Sequence, residues 1–582
     1  MVEPLPSGPF VLLDDARADG APARLYRHPV EILATQDPAE VPGLIDRLGQ
    51  GGDWAGFLSY EAGLALEPKL VAKARQPGLP LLWFGRFDGF ESIAAAEVAA
   101  RLPDPAGGWA GTPRPHLARP AYDAALARVQ AFIEAGDIYQ ANLTIRADVP
   151  LAGHPLALYA GLRARAQAGF GGVIWTGQEW LLSLSPELFF ALQGGKVTTK
   201  PMKGTATRGG DVAEDAALAH RLAHDPKQRA ENLMIVDLLR NDLSRVAVPG
   251  SVSVPDLFTV ESYPTVHQMI STITARLAPG ENVASVLRAI YPCGSITGAP
   301  KIRAMEIIDE VEPAPRGIYT GSIGRIDHHG DAAFNVAIRT LHIQAGASTA
   351  TLGLGGGIVA DSRVAEEWAE CLAKGRFVAD PRRFDLIETM RFDPQEGVAL
   401  LDFHLARLQT SATVFGFALD RHALRNELQA ATFQLNAPKK MRVLLSAMGQ
   451  MAIEIADLPP LAKTPVEVRV APLPVDPADF RLRHKVTDRA FYDQARQAAG
   501  SFEVIFTDPA GWLTEGSFTN IFVERDGRLL TPPLSRGLLP GVLRAALLAH
   551  GEAHEADLRV DDLAQGFFLG NALRGLIPAR LG

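Results

Sequence analysis

Between Gly375 and Phe384 the chain changes character, and this change constrains its fold more than any other feature. The run Gly375-Arg-Phe-Val-Ala-Asp-Pro-Arg-Arg383 is short, basic and broken by a proline, a composition suited to a joint between domains. At 582 residues the chain is also too long for one ordinary core. We therefore read a first domain over 1–378, a linker over 379–383 and a second domain over 384–582. Charged residues make up 21% and hydrophobic ones 47%, as in folded proteins that face water. The net charge of −9 is spread without runs, so no nucleic-acid or anionic-membrane partner is expected. No apolar run reaches the ~18 residues of a membrane span, and no basic-then-apolar leader opens the chain. Cys293 and Cys371 make neither a disulfide framework nor a metal-ligand pair. A reduced, cytoplasmic location is expected.

Within the first block, Ser185 to Thr205 carries the chemistry. An apolar run (Leu188 to Leu192), the turn Gln193-Gly194-Gly195 and a second run (Val197 to Lys200) read as strand, hairpin turn and strand. That fold would return Lys203 towards Glu187. A lysine between Met202 and Gly204, after a proline-set bend, can lie partly out of water, which lowers its pKa. It could then act as a nucleophile beside a carboxylate acid or base. An exposed lysine on a turn and a glutamate at a strand end would carry the same letters, so these residues alone leave both readings open.

The other elements follow from spacing. Pro103 to Pro115, dense in Gly and Pro, reads as a surface loop. A helix is expected over Ala121 to Ala135, stopped by Gly136, and a strand over Asp137 to Leu143. Gln228 to Val246 reads as a helix with Leu233, Ile235, Val236, Leu239 and Leu243 on its apolar face. Glu231 near its start would favour the helix dipole. The small residues of Tyr291 to Lys301 lead into a helix over Ile302 to Val311, where N–H groups suit an anion. Ile318 to Gly324 and Phe334 to Ile343 read as paired strands, and the glycine run Leu352 to Ile358 as a tight turn. On a helix over Arg363 to Phe377, Glu367 and Glu370 project from one face. Such a pair suits a hard divalent cation, although acidic pairs on solvated faces are commoner. Beyond the linker, a strand (Phe384 to Met390) and a helix holding His404 to Leu408 open the second block, and Gly541-Val542 opens a last long helix.

Taken together and in order, these motifs carry a resemblance. GDIYQANLT, SPELFF, KPMKGT, RAENLMIVDLLRNDLSRV, YPCGSITGAPK, IYTGSIGRID, FNVAIRT and GGGIVADSRVAEEWAE resemble the chorismate-utilising enzymes, and among them component I of aminodeoxychorismate synthase. The resemblance implies that Lys203 attacks chorismate at C2 and that Glu187 shuttles the protons. Relatives that add water carry a lysine where this chain has Gln140, so hydroxylation is disfavoured. It further implies Glu231 and Glu370 as Mg²⁺ ligands, with Glu367 assisting through water. Tyr319 and Arg339 would hold the enolpyruvyl carboxylate, helped by the N–H groups of Gly355 and Gly357. Ser295, Thr297 and Lys301 of the small-residue loop complete the substrate-binding set. His267 matches a histidine near the reacting ring, with a packed core histidine as the alternative. Met202 stands where a branched aliphatic is usual, and Cys293 where Gly or Ala is usual. Relatives also have a tryptophan pocket, placed here near Ser59 and Tyr60.

The second block is similar to the fold-type IV pyridoxal-phosphate enzymes, and most of all to aminodeoxychorismate lyase, through HLARLQTSA, HKVTDRAFYDQAR, LTEGSFTNIFV and TPPLSRGLLPGVLR. Lys485 is implied as the lysine that joins the aldehyde of pyridoxal phosphate, and Glu515 as the carboxylate facing the pyridine nitrogen. Arg407 and the N–H groups near Gly541 and Val542 would hold the phosphate. The block is shorter than free-standing relatives, its N-terminal part trimmed. A homodimer through this domain is an expectation.

The implied fold is α+β: a chorismate-binding β-sandwich with flanking helices, then a fold-type IV α+β domain. The implied function is conversion of chorismate and ammonia to 4-amino-4-deoxychorismate, then to 4-aminobenzoate and pyruvate, with ammonia from a glutamine amidotransferase subunit. Two alternatives stand beside it. The second block could be a class IV aminotransferase for branched-chain or D-amino acids, or a scaffold without activity.

Overall fold

The computed structural model describes residues 5–76, 78–263 and 266–582. The chain forms two compact units. One takes in 1–102, 112–149 and 159–379, and the other 103–111, 150–158 and 380–582.

The first unit is built on two antiparallel sheets. One follows the order Gly298–Ala299, Gln140–Ala152, Thr349–Ile358, Thr340–Gln344, Glu179–Ser183, Gly171–Trp175, Phe10–Asp14 and Ala23–Arg27. The other follows Met202–Thr207, Val266–Arg276, Lys196–Thr199, Leu188–Gln193, Ala332–Asn335, Ser322–Ile326, Asp53–Leu58 and Leu82–Phe87. Val11, Tyr26, Ile174 and Leu181 of the first share one buried cluster with Phe57, Trp83, Phe87 and Ile323 of the second, so the sheets pack face to face. The outer face of the second sheet is covered by helices Val41–Leu48, Pro226–Ser244, Val283–Ile290 and Lys301–Val311, which bury Ile235, Val236, Leu239, Leu287 and Ile308 against it.

The hairpin around Gly194-Gly195 forms as its letters require. Leu188–Gln193 pairs with Lys196–Thr199, and both glycines take positive φ (+53° and +78°), the turn that matches strand twist. The helix over 226–244 starts where Asp225 accepts the Gln228 N–H at 2.9 Å and Pro226 fills its first turn, both start signals. Leu233, expected on its apolar face, is 43% exposed: it falls outside the arc centred on Ile235, Val236 and Leu239.

Further expectations need correction. The glycine run 352–358 is the end of a strand, Thr349–Ile358; glycine is there for close approach and not for turning. Phe334 to Ile343 is two strands, Ala332–Asn335 and Thr340–Gln344, which belong to different sheets. The break comes at Arg339, held at φ +50°. Pro103 to Pro115 is not wholly surface: Trp109 is 7% exposed and packs edge-on against Phe415, ring centroids 4.8 Å apart.

The second unit has a small sheet in the order Gly397–Val398, Leu386–Asp393, Lys439–Leu445, Met451–Asp457. Its larger sheet runs Leu513–Gly516, Glu503–Thr507, Val466–Pro472, Gly575–Leu581, Phe567–Asn571, Asn520–Arg525 and on to Arg528–Thr531. The last helix, Val542–Ala549, is only two turns long and ends before Gly551 at φ +74°, where the sequence suggested a long one. Among the described residues, no helix is long and apolar enough to cross a membrane.

Candidate functional sites

Lys203, on the strand Met202–Thr207, has its Nζ 3.7 Å from Glu231 Oε2. Burial holds its pKa below the ordinary lysine value, against the pull of Glu231, Glu370 and Glu367 and with help from Lys374. The bare face of the glycine strand makes room for it. A Cβ on Gly357 would lie 2.6 Å from Lys203 Nζ, 2.9 Å from Gln140 Nε2 and 3.2 Å from Asn142 Oδ1. Gln140 is fully buried, and neither end of its amide has a hydrogen-bond partner among the described residues. Leaving such a group unsatisfied costs about 1–3 kcal/mol, a cost that a polar ligand removes.

Glu187 is 4% exposed. Burial pushes its carboxyl up to about 7, although Ser295 Oγ donates to it at 2.8 Å and the Met202 N–H and Lys203 also favour its charge. A carboxyl titrating there can both give and take a proton at neutral pH. Arg339 sits where the chain crosses between sheets, in the left-handed region that non-glycine residues avoid. Its guanidinium pairs with no carboxylate among the described residues, and burial lowers its pKa. Tyr319 is 9% exposed and pressed on the strand so closely that a Cβ on Gly353 would lie 1.9 Å from its Cγ. A Gly355 Cβ would meet the Leu143 carbonyl at 2.6 Å.

Other expected residues are engaged elsewhere. His267 is 1% exposed; its Nδ1 meets Ser262 Oγ at 2.8 Å and its Nε2 meets Asp215 Oδ1 at 2.9 Å. Both ring nitrogens are thus taken by protein groups. Thr297 donates to the carbonyls of Cys293 and Gly294 and so folds its own loop. Lys301 donates to the Ile290 carbonyl at 2.8 Å and pairs with Asp242. Beside Tyr60 the Arg316 guanidinium lies 4.5 Å from the ring centroid.

For the divalent cation, the donor chemistry fits. Glu231, Glu367 and Glu370 are hard oxygen donors, and all three act on the Lys203 charge. Among the described residues they are not drawn together as a metal-binding group. Ammonium groups balance them instead: Lys374 Nζ is 2.8 Å from Glu370 and donates to the Gly355 carbonyl at 2.9 Å. Burial raises the Glu367 pKa, while Glu370 is lowered against its own burial by Lys374. Lys374 was missed by sequence reasoning; its position four residues after Glu370 was the available signal.

In the second unit Lys485 follows the short helix Phe480–Arg483. Its Nζ donates to Thr389 Oγ1 at 3.1 Å, and burial, with Arg407 next, lowers its pKa to about 7. Arg407, on the helix Leu401–Phe415, gives Nε (2.9 Å) and Nη2 (2.6 Å) to Glu388 and Nη1 to the Pro540 carbonyl at 3.2 Å. Glu388, 1% exposed, also takes His404 Nδ1 at 2.6 Å, while His404 Nε2 is buried without a partner among the described residues. Glu515 is 3% exposed; burial pushes it up to about 7 and the Tyr492 hydroxyl donates to it. Gly541 precedes the helix that Val542 begins, and a Cβ there would lie 1.8 Å from Asn520 Oδ1. A half-buried amine of lowered pKa, an orphaned imidazole nitrogen and the N–H groups of a helix start fit an aldehyde cofactor with a phosphate. Glu388, Thr389, His404, Tyr492 and Asn520 were not singled out from sequence; they come together only through tertiary structure.

Lys203 and Lys485, each half-buried, with its pKa held down by burial and carboxylates at hand, mark two candidate catalytic centres, one in each unit. The chorismate binding enzyme family matches residues 21–380, and the chain belongs to it; residues 385–581 match the class IV amino-transferases. Aminodeoxychorismate synthase component 1 of Klebsiella aerogenes is 46% identical over 261 residues, 45% of this chain and 57% of that protein. Anthranilate synthase component 1 of Thermus thermophilus is 41% identical over 267 residues, 45% of this chain and 56% of that one. The chain thus spans little more than half the length of these relatives. The crystal structure of anthranilate synthase component I from Streptococcus pneumoniae superposes with a TM-score of 0.53 at 25% identity, over 65% of this chain and 94% of that one.

Proposed function

We propose that the protein converts chorismate and ammonia to 4-amino-4-deoxychorismate in its first unit, and that to 4-aminobenzoate and pyruvate in its second. The division of labour follows the 1–378 and 384–582 blocks of the sequence. The observation that carries the reading is Lys203, a half-buried amine of lowered pKa whose charge acts on Glu187, a carboxyl pushed up to about 7 by burial. Neutral Lys203 adds through Nζ to C2 of chorismate. The ring double bonds shift, the C4–O bond breaks, and protonated Glu187 gives its proton so that the hydroxyl leaves as water. Ammonia then adds at C4, the bonds shift back, the C2–N bond breaks, and Lys203 departs as a free amine. Arg339 and Tyr319 hold the enolpyruvyl carboxylate and Gln140 offers its unspent amide to the substrate. Glu231, Glu367 and Glu370 would hold Mg²⁺, whose charge would offset the ring carboxylate.

In the second unit, Lys485 moves the proton lost from C4, a role for which a pKa of about 7 suits it. The enolpyruvyl side chain then leaves as pyruvate. Lys485, Arg407, Gly541 and Val542 would hold pyridoxal phosphate, which would supply an electron sink, and Glu515 would face its ring nitrogen. Ammonia is proposed to come from a glutamine amidotransferase subunit. Cys293 and Cys371 are both buried, and burial pushes both thiols up to about 12, so neither offers a thiolate for amide hydrolysis. A cytoplasmic location and a homodimer through the second unit belong to the same reading. The test is mass spectrometry of protein quenched during turnover with chorismate: an adduct on Lys203 is expected, and normal aminodeoxychorismate output from Lys203→Ala would refute the mechanism.

A further inference from the structure

The first unit holds a second recess, which shares only the ring of Tyr319 with the chemistry above. It is a cavity of about 80 Å³, walled by Leu117, Ile145, Pro313, Ala314, Pro315 and the ring of Tyr319, with His116, Thr144, Arg146, Glu312 and Arg316 as its polar lining. The Arg146 Nε is buried and has no hydrogen-bond partner among the described residues. Every acidic group near it is already matched. Glu312 takes Arg316 through two contacts, at 2.7 and 2.9 Å, and the Thr144 N–H at 2.8 Å. Asp148 takes His116 Nε2 at 2.7 Å, and Glu61 takes the N–H groups of Arg316 and Gly317 at 2.6 and 3.0 Å. No carboxylate comes within ion-pair distance of Arg146 among the described residues, and the more distant charges of Glu61 and Asp148 favour its cation.

We propose that this recess is a binding site for a small monocarboxylate with a short apolar body, its carboxylate received by Arg146. An arginine offers a carboxylate two parallel N–H bonds, and a buried polar atom such as its Nε is rarely left unpaired. Arg316, the other guanidinium of the lining, is already spent on Glu312, so Arg146 is the group left to receive an anion and the recess suits a single carboxylate. Size sets the body: an apolar cavity of about 150 Å³ accepts benzene, so about half that space suits a chain of two to four carbons. Aliphatic and 2-oxo acids such as propionate and pyruvate meet the description. Tyr319 closes one wall and cannot move away, since Gly353 lies directly behind it.

The full-length protein should be titrated with propionate, pyruvate and benzoate by calorimetry and saturation-transfer NMR. Saturable binding of propionate or pyruvate is expected, with benzoate weaker. Arg146→Gln should weaken it by about tenfold or more, the scale of a lost charge-assisted bond. Ala314→Leu, which fills the cavity and keeps the arginine, should do the same. Arg339→Gln, which alters the proposed chorismate site, should leave it in place. No saturable binding by any probe would overturn the proposal, as would binding that survives Arg146→Gln and Ala314→Leu or is lost with Arg339→Gln. Benzoate binding more tightly than propionate would overturn it too.

Discussion

The ammonium of Lys203 stands 3.7 Å from the carboxylate of Glu231, although one belongs to the edge of a sheet and the other to the helix packed on it. The contact holds the lysine in place while burial lowers its pKa. Lys203→Ala should cut aminodeoxychorismate formation by about 10³-fold or more, the scale of losing a nucleophile, with little change in melting temperature. Slow release of anthranilate should appear, since ammonia then meets C2 directly. Chromatography of the products checks both outcomes.

The same carboxylate forecasts a response to metal. Mg²⁺ should raise the melting temperature of the wild-type protein, by the equivalent of about 2.7 kcal/mol at a hundred times its Kd. Glu231→Gln and Glu370→Gln should each shrink that rise and depress first-unit activity. Excess chelator should abolish activity in the wild type. Full activity in chelator would contradict the ligand assignment.

Lys485 supports a forecast in pH. Its pKa is lowered from the ordinary 10.5 to about 7, chiefly by burial. The neutral amine is the form that reacts with an aldehyde, so it dominates above pH 7 and vanishes below. The rate at which pyridoxal phosphate is captured, followed by its visible absorption, should rise through about pH 7 and level off above it. A rate still climbing beyond pH 9 would mark an ordinary exposed lysine. Borohydride should fix the cofactor on Lys485, and Lys485→Ala should leave the first reaction intact.

Two glycines make opposite forecasts. At Gly357 a new Cβ meets only side-chain ends, those of Lys203, Gln140 and Asn142. Gly357→Ala should leave stability within about 1 kcal/mol yet displace Lys203 and cut first-unit activity tenfold or more by about the cost of a misplaced nucleophile. At Gly541 the Cβ meets Asn520 Oδ1, and Asn520 is held by its 3.2 Å bond to the Leu539 carbonyl. Gly541→Ala should cost about 1–3 kcal/mol, as overpacking does, and weaken cofactor binding. Thermal melts and cofactor titration distinguish the two.

Much of this was legible in sequence because the signals were local. The Gly194-Gly195 hairpin, the helix read over 228–246 and the break at Gly136 follow from turn chemistry, apolar spacing and a stop signal within a few residues. The failures have a common physical origin. Glycines 353, 355 and 357 read as a turn because their reason, the close approach of Tyr319, the strand at Leu143, and Lys203, lies in residues distant along the chain. Phe334 to Ile343 read as one strand because the left-handed Arg339 that divides it between sheets carries no turn-forming letter. Trp109 was read as loop because Phe415, which buries it, lies some three hundred positions on. The site showed the same split: the spacing of Glu367 and Glu370 was visible, while the Glu388, His404 and Arg407 cluster and the spent hydrogen bonds of His267 and Lys301 were not.

The most direct test is the product formed from chorismate and ammonium by the purified full-length protein, with and without pyridoxal phosphate. With the cofactor, 4-aminobenzoate and pyruvate should accumulate in equal amounts. Without it, 4-amino-4-deoxychorismate should accumulate instead. Anthranilate as the main product would contradict the role given to Lys203. Aminodeoxychorismate that persists in the presence of cofactor, with amino transfer to 2-oxo acids in its place, would show the second unit to be an aminotransferase.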